Sequence, residues 1–477
     1  MNTNDGFDRF DLNSDYIDKE ELKLTAIFYS SDVISSNRSL QKLKETGISI
    51  RLVDDFINEI NRPGRFNMIN TSKSKGISYL SPSDTFMFPL TSNKYIIGYS
   101  DDLEIKDKEL LITCSGSVGR SLISNRLLKN FIVSSDMIRI KVNEENLGYI
   151  FAFLNSSIGQ SLIKKDEYGA TVKHIEPYHI SNIPIPDIPV LKKEINKKIL
   201  EAHKLREDAH FIFLKAKELF YEKLNLPQIT EDDVNYPEIN KMSNSEIRAF
   251  EISSNNLNLR LDASYHIPSV ELILNELYDK KKNKKGEIYN FVSLAKISMP
   301  KRFKRLYVND VDSGVPLLQG KHISQIKPQG LKFIWNQTKD LNDLLIKENW
   351  ILITRSGTVG KVSLVSKYWD GWAASDHLLR VIVDEKKMNP GFFAMFLSSE
   401  YGQIQLKRLT YGAVVDEIGE AGDLINDIKI YKPTDEKIEN EIGALFIEAY
   451  TKRDLANKIE DETINYLESD LKRLTTS

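Results

Sequence analysis

Leu352–Lys361 reads LITRSGTVGK, and 241 residues earlier Leu111–Arg120 reads LITCSGSVGR. Leu, Ile, Thr, Ser, Gly, Val and Gly keep their places, while Arg355 stands for Cys114, Thr358 for Ser117 and Lys361 for Arg120. In a chain of 477 residues a repeat at that distance is a duplicated domain and not a solenoid period. The surroundings agree. FDLNS (Phe10–Ser14) is echoed by FEISS (Phe250–Ser254), and LKLTAIFY (Leu22–Tyr29) by LRLDASYH (Leu259–His266). NRPGRF (Asn61–Phe66) meets MPKRF (Met299–Phe303), so Pro63 matches Pro300 and Phe66 matches Phe303. GISYL (Gly76–Leu80) matches GVPLL (Gly314–Leu318). After the SGxVG stretch each copy reaches a Ser-Asp pair, Ser135-Asp136 and Ser375-Asp376, then a strand-like alternation, MIRIKV and HLLRVIV. A helical segment follows, GYIFAFLNSSIGQ (Gly148–Gln160) against GFFAMFLSSEYGQ (Gly391–Gln403), and then YGATVKHI (Tyr168–Ile175) against YGAVVDEI (Tyr411–Ile418). Short strands, many turns and few helices make each copy an α+β domain.

Composition narrows the class. Hydrophobic residues at 41% and charged residues at 28% are ordinary for a globular protein. No apolar run reaches membrane-spanning length. The opening MNTNDGFDRFDLNSD is polar and acidic, unlike a secretory signal. One cysteine, Cys114, excludes an internal disulfide and a Cys-based zinc site, and a reducing, cytoplasmic setting fits best. The net charge of −3 means that any nucleic-acid-binding surface must be a local basic one.

Each copy ends in a long helix. SNIPIPDIP (Ser181–Pro189) is extended. Beyond it Leu191, Ile195, Ala202, Leu205, Ala209, Ile212, Ala216 and Leu219 form one seam broken by Lys198. The second copy repeats it with Ile438, Ile442, Leu445, Ala449, Ala456, Ile459 and Tyr466, broken by Lys452 and Thr463, with Thr434 as the expected N-cap. A seam of four to five heptads predicts coiled-coil helices about 50 Å long. They would pair most simply with each other, antiparallel, with the two heads at opposite ends of a dumbbell.

This order, with an SGTVGK-type turn in each head and an NIPIPxxP run before the first long helix, resembles the specificity (S) subunit of type I restriction–modification systems over roughly residues 15–475. The resemblance implies two tandem pseudo-symmetric target recognition domains joined by two long antiparallel coiled-coil helices. Their expected extents are 1–14 for an N-terminal tail, 15–189 for the first target recognition domain, 190–225 for the central helix, 226–254 for a linker, 255–433 for the second recognition domain and 434–475 for the distal helix. In that family each head reads one half of a bipartite, asymmetric site in double-stranded DNA. The helices set the spacer and dock two methyltransferase (M) subunits, and motor-nuclease (R) subunits complete the complex. The specificity subunit is not itself an enzyme and holds no cofactor; S-adenosylmethionine is expected on the methyltransferase subunit. The chain departs from the usual pattern where Asp416 and Glu417 stand for Lys173 and His174, where INDIKIYKP lacks paired prolines, and where Lys23 and Thr25 replace Arg260 and Asp262. The competing reading is a non-catalytic scaffold of another DNA-modification or phage-defence complex without its own sequence readout.

Catalytic motifs are missing from the sequence. It has no (N/D)PP(Y/F) tetrapeptide and no HExxH spacing among seven histidines, so no metal site is expected. SGTVGK is no phosphate loop: two residues, Thr358 and Val359, separate its glycines, and Val362 follows the lysine. Gly357 and Gly360 read instead as turn residues between two strands. His174, His266 and His377 read as structural. Contact with DNA is therefore sought in Arg62 and Arg65, in Lys73 and Lys75, in Lys301, Arg302, Lys304 and Arg305 of KRFKR, and in Gln319, Lys321 and His322. Arginine suits bidentate contact with guanine, and lysine suits phosphate. Phe66 and Phe303 read as core anchors.

Overall fold

The two copies thread their strands through the same sheet orders. The structure, a computed structural model, describes residues 26–99, 101–229, 250–257, 260–309, 312–411, 417–418 and 425–476. FDLNS (Phe10–Ser14), the linker residues 230–249, Lys23, Thr25 and Asp416 lie outside the described residues.

Two compact units divide the chain. The first holds the described residues up to Thr85, Thr91–Lys204 and 457–476; the second holds those of Phe86–Leu90 and Leu205–Ala456. In chain order the first copy runs α1 (Ser31–Glu45), β1 (Ser49–Leu52), β2 (Ile57–Asn61), β3 (Ile69–Thr71), β4 (Ile77–Leu80), β5 (Lys94–Ile97), β6 (Glu109–Thr113), β7 (Ser121–Ile123), β8 (Ile132–Val133), β9 (Met137–Val142), α2 (Glu144–Asn155), α3 (Ser157–Lys165), α4 (Pro177–Ser181), β10 (Pro184–Asp187) and α5 (Pro189–Leu224). The second runs α6 (Pro268–Lys282), β11 (Gly286–Asn290), α7 (Phe291–Leu294), β12 (Ala295–Ser298), β13 (Tyr307–Val308), β14 (Gly314–Leu318), α8 (Gly320–Ile323), β15 (Lys332–Trp335), β16 (Ile351–Thr354), β17 (Val362–Leu364), β18 (Ala373–Ala374), β19 (Leu378–Val383), α9 (Pro390–Ser398), α10 (Glu400–Arg408), β20 (Thr410–Tyr411), β21 (Glu417–Ile418), β22 (Lys429–Pro433) and α11 (Glu436–Thr476).

Each copy builds a four-stranded antiparallel sheet, ordered β2-β9-β6-β7 in one and β12-β19-β16-β17 in the other. A smaller sheet, β3-β5-β4-β8 or β13-β15-β14-β18, closes on a parallel last strand in both. A ribbon, β1-β10 or β11-β22, places the extended segment before each long helix. The strands ELLIT and ILIT that precede the SGxVG turns are buried at every position, which is why they read as unbroken apolar runs.

Behind each large sheet packs a helical pair. The helical segment read from the sequence is two helices in each copy, broken at Ser156 and Ser399, giving α2–α3 and α9–α10. Ser156 Oγ accepts from Gly159 N at 3.2 Å and caps the second helix of its pair. A Cβ on Gly159 would sit 2.0 Å from the Phe153 carbonyl oxygen, and one on Gly402 would sit 2.4 Å from Leu397 Cα. Glycine is what lets the two helices fold back so tightly.

The long helices are α5, of 36 residues, and α11, of 41. In the first unit Leu191, Ile195 and Ile199 share a core with Leu467 and Leu471, so the first turns of α5 meet the last turns of α11. In the second unit Phe213 meets Phe446 at 5.6 Å between ring centres, and Asp208 lies 4.0 Å from Lys452, an antiparallel pairing. The buried stripe differs from the predicted seam. Ile199, Phe213 and Phe220 are buried, whereas Leu205, Ile212 and Leu219 are half-buried. On α11 Leu467 is buried and Tyr466 is exposed. Arg453, Asp454, Asn457, Glu460 and Thr463 are also buried, residues that an apolar pattern passes over. Arg453 is held by Asp454 at 2.7 and 2.8 Å and lies among the rings of Trp369, Tyr450 and Phe88, 4.5 to 5.3 Å from their centres. Asp435, not Thr434, caps α11: its carboxylate accepts from Lys437 N at 2.9 Å, while Thr434 donates to Lys285 O.

Candidate nucleic-acid interface

The repeated turn has one geometry in both heads. Gly116 and Gly119 have φ of +74° and +83°, and Gly357 and Gly360 have +74° and +85°, the left-handed region that glycine enters without strain. Thr113 Oγ1 donates to Ser117 O and accepts from Arg120 N at 3.0 Å; Thr354 Oγ1 donates to Thr358 O and accepts from Lys361 N at 2.9 Å. Gln160 Nε2 donates to Gly119 O and Leu154 O, and Gln403 Nε2 does the same to Gly360 O and Leu397 O. The turn is thus stapled to the helical pair behind it, as a scaffold part should be.

A polar knot lies beside each turn. In the first head Ser115 Oγ bonds His174 Nδ1 at 2.9 Å and Asp136 at 3.2 Å. Arg62 donates to Asp136 at 3.0 Å, to Glu176 at 3.2 Å and to Ser135 O at 3.3 Å. In the second head Ser356 Oγ bonds His377 Nδ1 at 2.7 Å, and Arg305 donates to Asp376 at 2.5 Å. These are not hydrolytic triads. Asp136 binds the serine and the arginine, and Asp376 comes only to 4.0 Å from His377 Nε2, so neither carboxylate orients its imidazole. His266 Nε2 bonds Arg260 O at 2.8 Å, a local contact of the chain.

The knots exchange one arginine. Arg62 stands where Met299 stands, and Cys114 where Arg355 stands. Burial pushes the Cys114 thiol up, and the facing Arg62 charge counters that. In the second head Arg355 reaches from the turn to the Met299 thioether and to Glu417 at 3.4 Å. The aspartate link that Arg62 makes in the first head falls to Arg305 in the second, while Arg355 reaches from the turn to Met299, the residue at the position of Arg62.

The candidate contacts separate into two groups. Arg62 and Arg305 are committed to aspartates, and Arg62 is 17% exposed. His322 is fully buried; its Nδ1 accepts from Gln319 N at 3.1 Å, and burial pushes its pKa down to about 4, with the Lys321 charge adding to the shift. It caps the one-turn helix α8 together with half-buried Gln319 and does not reach the surface. Arg65, Lys73, Lys75, Lys301, Arg302, Lys304 and Lys321 are exposed. Phe66 and Phe303 pack into small cores, as expected of anchors.

Sequence reading passes over two buried arginines. Arg139 donates to the carbonyls of Glu104, Leu103 and Val133. Arg380 donates to those of Leu378, Leu344, Ala374 and Ser375, and burial pushes its pKa down to about 10. Each ties the large sheet to the small one. Their signal is an arginine at the third residue of the strand in both copies, opposite Leu111 and Leu352. Among the described residues no group of three His, Cys, Asp or Glu is placed to hold a metal ion, and no helix is long and apolar enough to cross a membrane.

Fold and site define a duplicated α+β protein with two similar sheet-rich units, long helices and exposed basic groups on a shared scaffold. Residues 53–205 match the family model described as the type I restriction modification DNA specificity domain. Comparison with solved structures matches the type I restriction-modification S subunit from M. genitalium at 12% identity and a TM-score of 0.37, covering 90% of this chain and 96% of that one. The HsdS subunit from Thermoanaerobacter tengcongensis is similar at 12% identity and a TM-score of 0.28, with the same coverage. No curated protein matches.

Proposed function

We propose that the chain is the sequence-specific DNA-binding subunit of a type I restriction–modification complex. Each head reads one half of a bipartite, asymmetric target, and the long helices set the spacer and dock two methyltransferase subunits. Motor-nuclease subunits join the full assembly. The chain performs no chemistry: S-adenosylmethionine and methyl transfer belong to the methyltransferase subunit. The observation that carries this reading is the match of residues 53–205 to the DNA specificity domain, on a fold whose three sheets recur in the second copy. Two heads on one scaffold with different surface residues suit two different half-sites.

The test uses the full chain assembled with its methyltransferase partner. Methylation mapped on duplexes of random sequence should return a two-part motif with a fixed gap. Exchanging one head should change one part alone. A complex that methylates without sequence preference, and whose duplex affinity is insensitive to salt, would leave the scaffold reading in its place.

A further inference from the structure

The small sheet of each unit has a face turned outward, and its chemistry is unusual for a solvent face. Residues directly opposite each other on paired strands share a face. In the second unit Trp335 lies opposite Gly314, and Phe333 opposite Val308 and Pro316. Ile334, on the other face, is fully buried. In the first unit Ile97 lies opposite Ile69, and Tyr95 opposite Thr71 and Ser78, with Ile96 buried on the inner side. The outer face of an antiparallel sheet is ordinarily polar. Here Ile69 is 54% exposed, Ile97 41% and Trp335 36%. Trp335 takes in β15 the place that Ile97 takes in β5, one residue beyond the buried isoleucine that pairs with the flanking strands.

Cations border the same face. Trp335 N donates to Leu306 O at 2.9 Å, so the KRFKR segment leads directly to the tryptophan's edge of the sheet. Lys301, Arg302 and Lys304 of that segment are exposed and form no ion pair among the described residues. In the first unit Lys73 and Lys75 sit on the turn that joins β3 to β4, immediately after Thr71, and they too are exposed and form no ion pair among the described residues. Arg62 and Arg305, by contrast, are held by aspartates. An apolar, partly aromatic platform bordered by uncommitted cations fits a polyanion that offers flat apolar rings between its charges, which is nucleic acid. Apolar wedges and aromatic side chains contact bases in this way, and lysines take the phosphates.

We propose that the outward face of the small sheet is the DNA-contacting surface of each unit. The equivalent positions Ile97 and Trp335 lie against bases and make the two half-sites different. This rests on the DNA-reading function proposed above and names the surface that performs it.

The experiment uses the full chain with its methyltransferase partner and a duplex library randomised over both half-sites. Three chains are compared: the unaltered chain, Trp335→Ile, which installs the first unit's residue, and Trp335→Phe, which keeps an aromatic ring. The unaltered complex should select a two-part motif. Trp335→Ile should lower enrichment at one half-site at least tenfold and leave the other half unchanged, while Trp335→Phe should retain most of it. Tryptophan fluorescence quenching on adding the selected duplex should fall in Trp335→Phe. If the unaltered complex selects a motif and Trp335→Ile selects the same motif with equal enrichment, with quenching undiminished in Trp335→Phe, the surface assignment is overturned while DNA reading stands. If Trp335→Ile instead loses the methyltransferase although the free chain melts as before, the face belongs to a protein contact and the assignment is again overturned. An unaltered complex that selects nothing overturns the DNA-reading function itself.

Discussion

Arg62 Nη2 lies 3.0 Å from Asp136 Oδ1, and the same guanidinium also holds Glu176 and the Ser135 carbonyl. A side chain with its donors committed in this way fixes the start of β9 beside the SGxVG turn and leaves little for a base. Arg62→Ala is expected to destabilise the chain by about 2 kcal/mol, the usual cost of removing hydrogen bonds to charged groups. Arg65→Ala, at an exposed position, should leave the urea midpoint unchanged. Equal midpoints for the two variants would contradict the structural role of Arg62.

The exposed cations should appear in salt dependence and not in stability. Lys301, Arg302 and Lys304 are exposed without an ion pair among the described residues. Each one that meets a phosphate contributes about 0.9 to the slope of log affinity against log salt. Replacing all three by alanine is expected to reduce that slope by about 3, with the thermal midpoint unmoved. A slope that stays put would exclude this segment from the DNA contact.

Two kinds of glycine in the repeated motifs predict two different costs. A Cβ on Gly159 would meet the Phe153 carbonyl oxygen at 2.0 Å, whereas one on Gly116 would meet nothing within 4 Å. Gly116→Ala incurs only the left-handed backbone, roughly 1 kcal/mol. Gly159→Ala has no left-handed backbone cost but must separate α2 from α3, and it is expected to cost about 3 kcal/mol or more. Calorimetry of the two variants should rank them in that order; the reverse would mean that the helical pair is looser than its contacts imply.

The duplication was legible because it preserves residue order, and the paired sheet orders follow from it. What depends on three-dimensional register was not legible. Spacing placed Leu205, Ile212 and Leu219 on the helix seam, but the buried stripe takes Phe213 and Phe220, one residue on. A shift of one residue turns a side chain by about 100° around a helix. Buried Arg453 and Asp454 escaped because a pair that satisfies its own charges leaves no apolar signal. The reach of Arg355 to Met299, the residue at the position of Arg62, escaped because it joins segments far apart in the chain. Likewise the outward apolar face of the small sheet rests on which strands are neighbours, which alternation within one strand does not reveal.

His322 supplies a pH-dependent test of the buried candidate. It is fully buried, and burial pushes its pKa down to about 4 from an ordinary value of 6.5. Between those values the unfolded chain binds the proton and the folded chain does not, so stability rises with pH across that window. The contribution is fully present above about pH 6.5 and is lost as pH falls toward 4. Its upper bound is roughly 3 kcal/mol at 1.36 kcal/mol per pH unit. His210 has the same direction and the same lowered pKa of about 4, caused first by burial and then by the Arg453 charge, so the histidine part of the pH dependence has two contributors, opposed by Glu109 and Glu167, whose carboxyls burial pushes up. His322→Asn keeps a side-chain acceptor near Gln319 N and removes one of the two titrations. Urea midpoints measured from pH 4 to pH 7 should therefore rise less steeply in the variant than in the unaltered chain. Parallel curves would mean that the imidazole is solvated in the folded protein, and His322 would then return to the group of surface contacts.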